Sequence, residues 1–403
     1  MKSSFDALVL DAENRQSLVT VRSLGKRGLT VVALANKDRK APAFSSRWCS
    51  KTIVSPAAEG TEEYATFILD FVSRNHVNAI IPSSDSTIDI LNRHRDAISR
   101  HTHIAIASRE AFDRANNKIK TLETARGLGI LIPRGVSVTS SGDVDRAIEE
   151  LGLPVIVKPV ESWIKGPAGM KRVCPLLAAT REEAHRMVND LLQYGGQAIF
   201  QEYLTGAREA VSLIFARNTV YARFAQLATR TQPPIGGTSV VRRSIEIPQD
   251  IGIQAEHLVR ALDLEGYSEV EFRRDARGVP YLMEINPRLS ASVEIAVRSG
   301  VDFPYLIYQW AARKPITIAN RFRTGIWERD LAGDIINLAQ TINERGRPGI
   351  PSPLIAIALF IFSFFSPMYY DYVDLQDLRP AVDATIGFLL QSFSNLISMN
   401  INL

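Results

Sequence analysis

The sequence predicts a parallel α/β block, then an α+β block of antiparallel strand pairs, then a helical C-terminal region. Three observations carry this. In the first third, short apolar runs alternate with helically spaced stretches. In the middle, β-rich runs follow one another across short turns. Beyond Lys314-Pro315 the apolar spacing is helical to Leu403. The expected units are 1–113, 114–312 and 313–403, and 403 residues are enough for several domains.

The first block opens with a buried-strand run, Ala7–Leu10, and a helical stretch, Gln16–Arg27, broken by Gly25 and Gly28. A β-rich run at Leu29–Ala35, a helix at Tyr64–Arg74, a run at Val77–Ile81 and another at Ile104–Ala107 complete the alternation. In parallel sheets ligands gather beyond the carboxyl ends of the strands. Asp11–Asn14 and Ser83–Asp85 are therefore candidate ligand loops, although Asp and Ser after a strand also cap helices. One helix is expected over Arg109–Gly127. Strands follow at Leu153–Lys158, Ala198–Tyr203, Glu209–Phe215, Thr219–Leu227 and Val240–Ile247, with a helix at Gln254–Leu264. Tyr267–Phe272 and Val279–Ile285 form a hairpin through the turn Asp275–Gly278.

Composition narrows the function. Apolar types make up 46% and charged types 22%, as in ordinary globular chains. Forty-seven Lys and Arg against 43 Asp and Glu leave a net charge of +4, and the scatter of both signs argues against a nucleic-acid partner. Two cysteines, Cys49 and Cys174, build neither a disulfide framework nor a Cys-rich zinc site, which fits a reducing cytoplasm. The N-terminus has no apolar run of signal-peptide length. GxGxxG at the first turn and GxxxxGK[ST] are both absent. Leu354–Phe365 is apolar apart from Ser363 and fenced by Pro351, Pro353 and Pro367. As a helix it reaches about 18 Å, short of the roughly 20 residues a bilayer core needs. A buried helix is expected, with a surface-lying membrane contact as the alternative.

The residues with the clearest chemistry lie on the hairpin. Glu271 sits in Glu-Val-Glu-Phe, and Glu284, Asn286 and Arg288 follow in Met-Glu-Ile-Asn-Pro-Arg. Strand alternation puts Glu284 and Asn286 on one face, with Val270, Phe272, Met283 and Ile285 on the other. Two carboxylates and an amide on a rigid sheet are hard oxygen donors of the kind Mg²⁺ takes together with phosphates and water. Arg288 continues the row, where a guanidinium can hold a phosphoryl oxygen. Lys158 ends an apolar strand, where its charge needs a partner. Lys118 follows Asn116-Asn117; alone, either lysine also reads as a surface residue. Gln201-Glu202-Tyr203-Leu204 is a strand turning polar that can meet an adenine edge, or an ordinary exposed strand end. Arg242-Arg243 hints at an anionic substrate, or at plain surface charge.

The order Asn-Lys118, VIVKP with Lys158, QEYL with Glu202, EVEF with Glu271 and MEINPR with Glu284, Asn286 and Arg288 resembles the ATP-grasp superfamily over 114–312. Within it, the chain looks like a carboxylate–amine ligase of the carbamoyl-phosphate-synthase-like branch, similar to D-aspartate ligase and biotin carboxylase type enzymes. The first block resembles the Rossmann-like pre-ATP-grasp domain of these proteins. The resemblance implies ATP and Mg²⁺ (or Mn²⁺). Lys118 and Lys158 would hold the α- and β-phosphates. Glu202, Tyr203 and Leu204 would meet the adenine and Glu209 the ribose. Glu271, Glu284 and Asn286 would bind the metal. Arg288 would steady the transferred phosphoryl, with help from Arg230 beside the Gly236-Gly237 loop. Two departures stand out. Asn117 replaces a common Asp, and the flap Glu161–Gly169 has only two glycines and a proline where many relatives are glycine-dense.

The implied reaction is phosphorylation of a carboxylate by ATP and attack of an amine on the acyl phosphate, giving an amide or peptide bond. Phosphorylation of bicarbonate or carbamate, and a nucleotide-binding module without ligase activity, are the alternatives. The implied partners are small-molecule acids and amines, with no transmembrane span, and relatives are often homodimers.

Overall fold

The computed structural model describes residues 3–36, 41–160, 163–166, 169–172, 175–193 and 197–401, with the backbone alone over 163–166, 169–172 and 391–401. The flap residues Glu161, Ser162, Pro167 and Ala168, and Cys174, lie outside the described residues.

The first sheet is all parallel, in the order β3-β2-β1-β4-β5: β1 (Ser4–Val9), β2 (Val31–Asn36), β3 (Lys51–Ser55), β4 (His76–Ile81) and β5 (His103–Ile104). Its strands are near-continuous Val, Ile, Leu and Ala because helices cover both faces. Asp11, at φ 55°, turns the chain directly after β1. Its carboxylate accepts from Ser83 N at 2.8 Å, Ser84 N at 2.9 Å and the Thr87 hydroxyl at 2.6 Å. One side chain thus ties together the two loops at the carboxyl ends of β1 and β4. Ser84 in turn caps the helix Asp85–Arg93.

A second, antiparallel sheet holds β6 (Gly135–Val138) and β7 (Val155–Pro159), with the ribbon β8 (Trp163–Gly166) and β9 (Gly169–Arg172) following, then β10 (Leu176–Ala178) and β11 (Ala198–Glu202). The order is β10-β7-β11-β6, and helices Asp143–Leu151 and Arg181–Leu192 bury one face. The third sheet has seven strands in the order β16-β15-β12-β13-β14-β17-β18. They are β12 (Arg208–Ala216), β13 (Thr219–Gln232), β14 (Thr238–Ile245), β15 (Gly266–Arg274), β16 (Pro280–Asn286), β17 (Trp327–Arg329) and β18 (Tyr369–Tyr370). One face packs on helix Gln249–Ala261; the other shares a core with the first sheet through Ile214, Phe224 and Tyr267.

Four expectations change. The helix over Arg109–Gly127 is two helices, because Asn117 leaves the helical conformation and caps Lys118–Gly127, accepting from Lys120 N at 3.1 Å. The C-terminal region is helical but also lends β17 and β18 to the large sheet, where β17 pairs antiparallel with β14 and β18 pairs parallel with β17. Arg242 lies in a central strand, fully buried between Glu328 and Asp371, so Arg242-Arg243 is neither a loop nor a substrate-facing patch. Leu354–Phe365 forms the expected helix, Pro353–Phe362, and a 3₁₀ turn, Ser363–Phe365, but it is not buried: Leu354 is 80% and Phe365 81% exposed. It docks through polar contacts instead. Arg230 meets the Ser363 hydroxyl at 2.8 Å, and the Arg329 guanidinium lies 4.5 Å and 4.3 Å from the Phe360 and Phe364 ring centres. Among the described residues no helix is long and apolar enough to cross a membrane.

Candidate functional site

Where the three sheets meet they enclose a cavity of about 850 Å³. Its walls come from the loops after β1 and β4 (Glu13–Gln16, Ser83–Asp85), from the second sheet (Ile156, Lys158, Gln201), from the strand end Glu202–Leu204, and from the large sheet. Both candidate ligand loops open into it.

The hairpin register explains the central row. Glu271 on β15 pairs directly with Glu284 on β16, and Glu269 with Asn286, with a bulge after Glu271. Direct pairs share a face, and so do residues two apart. The Asn286 amide nitrogen lies 3.4 Å from Glu271 Oε1 and 3.3 Å from Glu284 Oε1. Arg288 follows, its Nη2 3.5 Å from Asn286 Oδ1. Lys118 and Lys158 face this row, both buried. The Lys158 ammonium donates to Gln201 Oε1 at 2.8 Å.

The electrostatics are unbalanced. Burial, with Lys118 nearby, pushes the Lys158 ammonium down to about 8. Burial also pushes Glu271 up to about 7, against the pull of Arg208 and with Glu284 adding to it. Glu284 goes the other way: burial works against its charge, but Lys118, Arg208 and Lys158 outweigh it and hold the carboxyl below its usual range. Carboxylates placed face to face repel unless cations join them. Among the described residues no group of three or more His, Cys, Asp or Glu forms a metal cage. Two carboxylates and the Asn286 amide, lining a cavity with room for water and phosphate, are a donor set that fits Mg²⁺, which rarely takes an all-protein cage.

The strand end Glu202–Leu204 borders the cavity, and so does Glu209. Tyr203 and Leu204 line the cavity, with the Arg273 guanidinium 5.6 Å from the centre of the Tyr203 ring. Glu202 lines it too, with one oxygen accepting from the Arg134 backbone and the other from its guanidinium, at 2.9 Å each. Glu209 accepts from Arg274 Nε at 2.7 Å. Arg230 is outside the cavity wall. Strand alternation and a bulge turn it toward helix Leu331–Asn343, where Nε and Nη2 pair with Asp334 at 2.7 Å and 2.8 Å. The expected partnership with Arg288 is therefore not made.

Sequence reading missed Arg208. It pairs with Glu271 and donates to the Gly237 carbonyl, so it links the metal-type row to the Gly236-Gly237 loop. Gly237 has φ 81°, and a Cβ there would collide with the Gln232 carbonyl, which explains a glycine at that turn. A signal existed, since Arg208 and Glu209 begin the strand beside EVEF. The loop Glu344–Arg347 was also missed; Glu344 and Arg347 join the wall, and Arg347 spans to Glu183 at 2.9 Å.

Comparison with known proteins gives a family match, distant relatives and a fold. Residues 197–326 match a family described as ATP-grasp in the biosynthetic pathway with Ter operon. The chain is 26% identical over 191 residues to the carbamoyl phosphate synthase large chain of Clostridium acetobutylicum, covering 46% of this chain and 17% of that one. It is 27% identical over 210 residues to a D-alanine–D-alanine ligase of Ectopseudomonas mendocina, covering 48% and 63%. It thus spans less than two thirds of either relative. The structure is similar to a biotin carboxylase from Campylobacter jejuni in complex with a β,γ-ATP ligand, at a TM-score of 0.64 and 14% identity, covering 80% of this chain and 74% of that one. The family match over 197–326, the relatives and the neighbouring structure thus point the same way: the chain has the ATP-grasp fold and is similar in sequence to ATP-grasp proteins.

Proposed function

We propose that this chain is an ATP-dependent, ADP-forming ligase that joins a small-molecule carboxylate to an amine through an acyl phosphate. One observation carries the reading. Glu271, Glu284, Asn286 and Arg288 stand in one row opposite Lys118 and Lys158, inside a single cavity large enough for a nucleotide and a substrate. Lys118 and Lys158 bind the phosphates, and Lys158 is charged at neutral pH to do so. Tyr203 and Leu204 border the adenine, with Glu209 near the ribose and Glu202 fixing the strand end through Arg134. Glu271, Glu284 and Asn286 would hold Mg²⁺ (or Mn²⁺), which would supply charge neutralisation for the phosphates.

The chemistry follows from charge. A carboxylate resists attack by an amine because it is an anion with a poor leaving group. Once its oxygen has displaced ADP from the γ-phosphorus, phosphate becomes the leaving group. The amine then bonds to the carbonyl carbon, and the C–O bond to phosphate breaks. Arg288 steadies the transferring phosphoryl. Water must be kept out of the second step, and the Gly236-Gly237 loop lies at the cavity wall to exclude it. The carbamoyl phosphate synthase relative favours one rival, phosphorylation of bicarbonate. A coupled ADP-release screen pairing carboxylic acids with amino acids separates the two. Release that needs both an acid and an amine supports the ligase. Release with bicarbonate alone moves the assignment to the rival, and the absence of release throughout overturns both.

A further inference from the structure

We propose that Asp85, carried by the N-terminal sheet, is the positioning residue for Arg288, and that it leaves one edge of that guanidinium free for the transferring phosphoryl. The inference rests on the phosphoryl-transfer reading of the site. Arg288 reaches across the cavity to a residue 203 positions away in the chain. Its Nε meets Asp85 Oδ1 at 2.7 Å and its Nη2 meets Oδ2 at 3.1 Å, a two-pronged pair. The planar fork presents five N–H donors, and pairing through Nε and Nη2 leaves the Nη1 edge pointing away. Among the described residues Nη1 makes no hydrogen bond, while Arg288 and Asp85 both line the cavity.

Asp85 is itself held. It is the first residue of the helix Asp85–Arg93, behind the cap Ser84, and Asp11 grips the backbone of Ser83 and Ser84. The N-terminal sheet therefore sets the angle of an arginine that belongs to the hairpin of another sheet. A salt bridge serving stability alone would join the two sheets without regard to which edge of the guanidinium stays free.

Calorimetry with MgADP, with and without aluminium fluoride as a mimic of the transferring phosphoryl, tests this on the full chain. In the wild type aluminium fluoride tightens MgADP binding. Asp85→Asn keeps MgADP affinity within about threefold and loses roughly 10²-fold of that tightening, the scale set by a misplaced group. Asp85→Glu keeps the charge but moves it by one methylene; it loses about tenfold and carries the test if Asp85→Asn does not fold. Undiminished tightening in the folded variants overturns the proposal, as does an equal loss of MgADP affinity with and without fluoride. If the wild type itself shows no tightening, the phosphoryl-transfer reading fails first and takes the proposal with it.

Discussion

Two clusters of buried charge sit on the same seven-stranded sheet, and they are built on opposite rules. Around β14 and β17, Arg242 meets Glu328 at 2.9 Å and Asp371 at 2.6 Å, and Arg329 meets Asp334 at 2.7 Å. Nearby, Arg22 meets Asp377 at 3.0 Å and fastens the helix Arg15–Gly25 to the C-terminal segment. Cations there meet acids of opposite charge, and the side chains of Arg242, Glu328 and Arg329 are wholly buried. On the β15–β16 hairpin like also faces like, although Arg208 pairs with Glu271. Glu271 stands directly across from Glu284, and Lys118 lowers the Lys158 ammonium. The like-charge contacts oppose folding, and the cavity beside them is what a polyanion and its cations would fill. Opposite charges in contact mark the structural cluster; like charges gathered beside open volume mark the site.

The contrast can be broken at either end. Arg242→Leu leaves Glu328 buried without its cation and Asp371 with Arg15 alone, and should cost about 3–5 kcal/mol, read from denaturant unfolding. A variant as stable as the parent would show that the paired cluster is not holding the sheet together. Glu284→Ala should do the reverse. ADP release should fall by about 10²–10³-fold, equivalent to roughly 2.7–4 kcal/mol of lost charge stabilisation, while the melting temperature changes less than in Arg242→Leu. Normal turnover in Glu284→Ala would remove the hairpin from the active site.

The smallest effect sharpens the comparison through pH. Burial holds the Lys158 pKa at about 8, below its ordinary value, so the folded chain binds fewer protons than the unfolded chain above that pH. Its burial therefore costs stability most fully below pH 8, and the cost fades as pH rises toward the unfolded value. Phosphate binding needs the charged form. MgADP affinity should fall as pH rises past 8, approaching a factor of about ten per unit. In Lys158→Arg, which stays charged, calorimetry at pH 7, 8 and 9 should give a nearly flat profile. An equal slope in both proteins would place the titrating group elsewhere.

Much of this was legible in the chain. The alternation that gave β1, β2 and β4, and the apolar set Val270, Phe272 and Ile285 that put Glu284 and Asn286 on one face, are local patterns. They survive because burial enforces a period of two along a strand. The ion-pair partners of Arg230, Arg242 and Glu202 escaped the sequence for a shared reason. Each is a charged residue whose partner lies far along the chain: Asp334, Glu328 and Asp371, and Arg134. Leu354–Phe365 failed differently. Its helix was visible, but burial depends on what packs against it, and here cations and hydroxyls hold the segment while its apolar side chains stay exposed.

By itself, then, the sequence determined which elements form and which oxygen-bearing side chains share a strand face, since both follow from spacing along a few residues. The tertiary structure alone decided which charges meet. It set Asp85 against Arg288 and Arg208 against Glu271 and left Arg230 on the far side, because an ion pair depends on distance in space, and that distance is fixed only once the three sheets have packed around the cavity.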